Sequence, residues 1–156
     1  MTIHNLPGAI SLAIAAALGA PSRGQAQILA VATMEGTYTQ RINNSTWQAI
    51  HIGVGSTVLH FNTTKNSERI VITYSAYCLA GGFIIYARAT VDGLIASPGA
   101  TTGVSLCSTA VSGSLYPASR TFSVVVATKG VHNLSIEVKG NGAAILIGES
   151  ALVVQN

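Results

Sequence analysis

The clearest pattern in the chain is the alternation in Val131–Lys139, VHNLSIEVK. His132, Leu134, Ile136 and Val138 fall on one side, and Asn133, Ser135, Glu137 and Lys139 on the other. Successive side chains of a strand point to opposite faces, so this segment predicts a strand with one face in a core and one in water. Arg120–Thr128, RTFSVVVAT, precedes it across Lys129-Gly130, and Ala143–Val154 follows it across Gly140-Asn141-Gly142. Together they predict an antiparallel meander.

The middle of the chain is built the same way. Arg69–Ala80 is rich in β-branched and aromatic residues and ends at Gly81-Gly82; Phe83–Val91, FIIYARATV, is the next run. Asp92-Gly93 predicts a tight hairpin, because both central positions of a type I′ turn need φ > 0. Leu94–Ala96 starts the return strand, and Ser97–Thr102 breaks it. Gly103–Ala110 reads as a short strand around Cys107, and Gly113–Ser119, with Pro117, as irregular.

Upstream, Gln27–Gln40 holds a first strand and Arg41–Thr46 reads as a loop. In Trp47–Phe61, Ala49, His51, Gly53 and Gly55 share one face, and Ile50, Ile52 and Val54 the other. The two glycines predict a bulge, a bend or a break there. Asn62–Glu68 is a turn by composition. The sum is roughly seven to nine short strands at regular spacing, which predicts an all-β antiparallel sandwich or barrel.

Composition sharpens this picture. Charged residues make up 8% of the 156-residue chain, against about 25% in ordinary soluble domains. Exposed positions are therefore Ser, Thr and Asn, as on extracellular and filamentous proteins, and compatible with packing against further copies of the chain. The net charge of +3 comes from scattered Lys and Arg, with no basic cluster among aromatics, so no nucleic-acid footprint is visible.

Ala9–Ala20, AISLAIAAALGA, is too short to span a bilayer comfortably but suits the apolar core of an export signal. Gly24-Gln25-Ala26 has the small-x-small form of a cleavage site, although residues 1–8 hold no Lys or Arg. The reading is a signal peptide at 1–26 and one domain at 27–156. A short buried helix, or a retained segment packing against neighbouring subunits, are the alternatives. With export, no stable membrane span remains and the localisation is extracellular. Cys78 and Cys107 would then most simply pair in a disulfide, the alternative being two free thiols.

The chain segments VITYSAYC, IIYARATVDG, ASPG and TFSVVVATKGVHNLSIEVKGNGAAILIGESALVV, in that order, resemble bacterial secreted and phage-tail β-sandwich domains. These are similar to the jelly roll of the tumour-necrosis-factor and C1q superfamily. The carrying motifs are Val91-Asp92-Gly93 after a strand, the Lys129-Gly130 turn, and a terminal strand after a glycine turn. The resemblance covers Ser56–Val154 and implies a jelly-roll sandwich, with an oligomeric receptor- or glycan-binding head as one use of it.

No catalytic constellation is visible. Glu35, Glu68, Glu137 and Glu149 stand apart from one another, and Asp92 is explained by its turn. His4 leaves with the signal. His51 and His60 would lie about 30 Å apart in one continuous strand. His132 reads as a satisfied core or interface histidine. No metal-ligating spacing, nucleophile elbow or phosphate loop occurs, so the expectation is no catalytic residue, no metal and no cofactor. Asn43, Asn44, Asn62 and Asn133 begin sequons. Trp47, Tyr74, Tyr77 and Tyr86 are the candidates for a binding surface, with core filling as their other reading.

The expectation is a secreted structural or adhesive module that assembles with itself or binds a cell-surface protein or glycan. Gln27–Thr39 is a candidate for a strand donated between copies. The alternatives are the binding head and, less favoured, a small secreted hydrolase.

Overall fold

The computed structural model describes residues 26–34, 40–42, 45–53, 55–79, 84–99, 102–108, 115–140 and 145–156. The expected signal segment lies outside these residues apart from Ala26, as does the Gly140-Asn141-Gly142 turn beyond its first residue.

The described residues form eleven strands: β1 (Ile28–Met34), β2 (Gln40–Ile42), β3 (Gln48–Ala49), β4 (Leu59–Thr63), β5 (Glu68–Leu79), β6 (Ile84–Val91), β7 (Leu94–Ile95), β8 (Val104–Ser108), β9 (Tyr116–Val126), β10 (Gly130–Gly140) and β11 (Ile145–Gln155). They build two antiparallel sheets. Sheet I has the order β1-β11-β5-β9, with β2 also paired to β11. Sheet II has the order β3-β10-β6-β7, with β4 also on β10 and β8 on β6. The molecule is an all-β sandwich.

The pairs β1/β2, β3/β4 and β7/β8 each follow one another along a shared partner strand. Counted as single positions, they give a chain in which the first position pairs the last, the second pairs the one before it, and so inward to the central hairpin. This is the wrapping of a jelly roll. The strands outnumber the expectation because three positions are interrupted. One interruption falls at the expected glycines, where Gly53 bridges Ser56 and Gly55 has φ 74°.

The alternation in β10 holds. His132, Leu134, Ile136 and Val138 are buried, and so are Ile50 and Ile52 before the glycine break. On β5, Ile70, Ile72, Tyr74, Ala76 and Cys78 turn inward to meet Phe122 and Leu152 of the same sheet and the β6 and β10 residues of the other. Burying these side chains between the sheets supplies the main driving force for the fold, at about 1.5–3 kcal/mol for each large one.

Two expectations are corrected. Arg41 and Ile42 are not loop but part of β2, paired with Leu146 and Ile145; a long neighbouring strand gives this polar-looking stretch its hydrogen-bond partners. The stretch around Pro117 is not irregular. Tyr116–Ser119 open β9, with Pro117 opposite Tyr77. Proline is tolerated there because β9 ends the sheet I order, and an edge strand can spare an N–H.

That edge is partly covered. Ser97 and Ser123 exchange backbone hydrogen bonds at 2.8 and 2.6 Å, and Arg120 Nε donates to the Ser105 carbonyl at 2.5 Å. At the other edge, Ile28–Met34 pairs with β11 of its own chain.

Candidate functional site

The four aromatic candidates separate into three environments. Trp47 and Tyr86 come together on the outer face of sheet II. Tyr86 alternates outward on β6, next to Lys139 of β10 in register. Trp47, just before β3, lies across this face. The Arg88 guanidinium sits 4.4 Å from its ring centroid and the Lys139 ammonium 4.6 Å, while Lys139 is also 5.6 Å from the Tyr86 centroid. Such cation–ring contacts stabilise by about 0.5–1 kcal/mol at exposed sites. Glu137 accepts from Arg88 Nε at 2.5 Å. The indole packs on Gly103, where a Cβ would overlap the ring and φ is +72°. Only glycine fits this position without strain.

Tyr74 does not belong to a surface. It is fully buried in the core, and burial pushes its hydroxyl above the ordinary tyrosine range. Parity decides this: Tyr74 lies in step with Ile70 and Ile72, whereas Tyr77 lies in step with Arg69 and Ser75 and faces out. That signal was present in the sequence, since Arg69 marks the outer parity of β5.

Tyr77 is on the opposite side of the molecule from Trp47, on the outer face of sheet I. The rows of that face follow from the register. Val31, Val153, Thr73 and Thr121 form one row; Thr33, Ala151, Ser75 and Ser119 the next; Gln155, Val71 and Ser123 a third. None of these side chains is charged. Their hydroxyls pair across strands, Thr73 with Thr121 at 3.3 Å and Ser75 with Ser119 at 2.9 Å. At one end the face opens into a recess of about 320 Å³ lined by Met34, Ala76, Tyr77, Pro117 and Ala118 among others, with Glu149 as its one charged side chain. The recess lies where the β11 register shifts between Ile147 and Ser150.

A third arrangement was not visible in the sequence. Asp92, at the hairpin turn, accepts from His132 Nδ1 at 2.6 Å through Oδ2 and from the Asn133 N–H at 2.9 Å through Oδ1. His132 Nε2 lies 3.0 Å from both the Thr63 hydroxyl and the Thr128 carbonyl. Burial alone would raise the Asp92 carboxyl, but the Asn133 N–H and the hydrogen bond and charge of His132 hold it below the usual carboxylate range. Carboxylate, imidazole and hydroxyl stand in the order of a nucleophilic relay. Thr63 is 2% exposed and His132 3% exposed, so the hydroxyl has no open side for a substrate. The arrangement ties β4, β10 and the hairpin together.

Cys78 and Cys107 form a disulfide with Cα atoms 6.3 Å apart. It joins β5 of sheet I to β8 of sheet II. Among the described residues, no three His, Cys, Asp or Glu side chains gather as a metal-ligating group, and no helix is long and apolar enough to cross a membrane.

No protein-family model and no curated protein matches the chain. A solved structure of infectious bursal disease virus, Gx strain, is similar with a TM-score of 0.41 and 11% identity, over 85% of this chain and 32% of that one. The chain thus spans about a third of that protein's length. A likeness this slight bears on neither family nor function.

Proposed function

We propose that the chain is a secreted, non-enzymatic structural or adhesive module that assembles with copies of itself through the outer face of sheet I. The observation that carries this reading is the absence of charge from three successive rows of that face, together with the cross-strand pairing of its hydroxyls. Removing water from a charged or unpaired polar surface is costly. Here Thr73–Thr121 and Ser75–Ser119 keep a hydrogen bond when water leaves. Val31, 53% exposed, and the recess beside Tyr77 offer apolar area to a partner. The outer face of sheet II, with Arg88, Glu137 and Lys139, is unlike it and stays toward solvent or a surface partner.

The Cys78–Cys107 disulfide supports an oxidising, extracellular setting. The jelly-roll order of strands supports the likeness to the tumour-necrosis-factor and C1q superfamily, whose fold is shared by proteins of many functions.

Sedimentation and native mass spectrometry of the exported chain test the reading. The chain should be oligomeric at micromolar concentration and begin at Gln27. Thr73→Lys with Val153→Lys should yield monomers with unchanged far-ultraviolet circular dichroism. A wild-type chain that stays monomeric at the highest soluble concentration removes the assembly.

A further inference from the structure

We propose that the outer face of sheet II binds an acidic saccharide through Lys139, Arg88, Trp47 and Tyr86. This names the partner chemistry of the adhesive reading and rests on it. Two cations and one carboxylate meet here. Glu137 engages Arg88 through Nε, while Lys139 has no carboxylate partner among the described residues and rests between two aromatic rings. Its charge is held in place by the rings, and no described carboxylate pairs with it. A ligand carboxylate would form a charge-assisted contact with it.

The neighbours point to a sugar as the carrier of that carboxylate. Ser105 lies opposite Tyr86, and Ser135 and Thr90 share a row of the same face on the far side of the Arg88–Glu137 row. A pyranose presents an apolar C–H side to an aromatic ring and hydroxyls around its rim, which suits a ring flanked by a small hydroxyl side chain with further hydroxyls along the face. An acidic peptide is a poorer fit. β10 and β6 are interior strands of the sheet, flanked on both sides, so they offer no free backbone edge for a peptide to extend. One such shallow site binds weakly. Copies assembled through sheet I would present several at once and gain by avidity.

The test is electrophoresis of the wild-type chain through gels holding polygalacturonate, its methyl ester, or poly-glutamate. Retardation is expected in polygalacturonate and not in the other two. Lys139→Gln should weaken it about tenfold, the loss of one charge-assisted hydrogen bond, and Tyr86→Thr should weaken it with the lysine intact. Melting of both variants, followed by Trp47 fluorescence, should stay close to wild type. Free passage through polygalacturonate, equal retardation by poly-glutamate, or an unaffected Lys139→Gln chain each overturns the site. Retardation of a chain that proves monomeric upholds the site and removes only the assembly; an oligomer that passes freely does the reverse.

Discussion

Asp92 Oδ2 and His132 Nδ1 lie 2.6 Å apart, although 40 positions separate the two residues. The register brings them together: Val91 pairs with Leu134, which sets the end of β6 beside the start of β10. The second Asp92 oxygen takes the Asn133 N–H, so one carboxylate holds both a side chain and a backbone group of β10. Through His132 the connection continues to Thr63 of β4. The hairpin turn is therefore anchored to two further strands at this end of the sandwich.

This anchoring should weaken in acid. The Asp92 carboxyl titrates below its ordinary range, and so does Glu68, chiefly through its hydrogen bond from Asn156. A group whose folded value is depressed contributes stability above its unfolded value and loses it as the pH falls through the folded one. The loss should lie on the acid side of about pH 4. Asp92→Asn keeps a residue that tolerates the φ of 50° at this turn. With the Asp92 side chain 43% exposed, the expected loss is about 1 kcal/mol after allowance for solvent screening. Urea midpoints of wild type and variant should differ at pH 7, and the difference should shrink as the pH falls below about 4. A constant difference across that range would show that the charge of Asp92 contributes nothing.

How far this end of the molecule could be read from the sequence depends on distance along the chain. The turn at Asp92-Gly93 is local chemistry, and both residues have the positive φ that the dipeptide demanded, 50° and 82°. The burial of His132 followed from the parity of β10. Its partner did not, because nothing within a few residues of either one records a pairing made through strand register. The aromatic candidates divide on the same principle. Parity within β5 was enough to place Tyr74 inside and Tyr77 outside. Trp47 meets Lys139 and Arg88 only because β3, β10 and β6 lie side by side. The opening of β9 was hidden by Pro117, whose local preference gives way to pairing with β5 at the edge of a sheet.

Two glycines with similar φ should respond differently to the same change. Gly93, at φ +82°, has open space where a Cβ would go, whereas at Gly103, φ +72°, a Cβ would overlap the Trp47 indole. Gly93→Ala should therefore lose only the backbone term, about 1 kcal/mol. Gly103→Ala adds displacement of the ring and should lose about 1–3 kcal/mol more. Trp47 is the sole tryptophan, so its emission reports the displacement directly. Gly103→Ala should shift the native-state spectrum and Gly93→Ala should not. Identical native spectra would mean that the indole does not rest on Gly103.

The disulfide allows chain entropy and packing to be separated. Cys78 and Cys107 are both buried, so replacing them removes sulfur from the core as well as a cross-link between the sheets. The chain-entropy model assigns the cross-link about 3–4 kcal/mol for a loop of this size, or a fall in melting temperature of roughly 10 °C for a domain of this length. Wild type in reductant keeps both sulfur atoms and loses only the link. Cys78→Ala with Cys107→Ala loses both. Melting of the two by calorimetry should show most of the fall already present in the reduced wild type, with a smaller further step in the double variant. The opposite division, a small step on reduction and a large one on replacement, would assign the pair's contribution to core packing. In that case constraint of the unfolded chain would be the lesser effect.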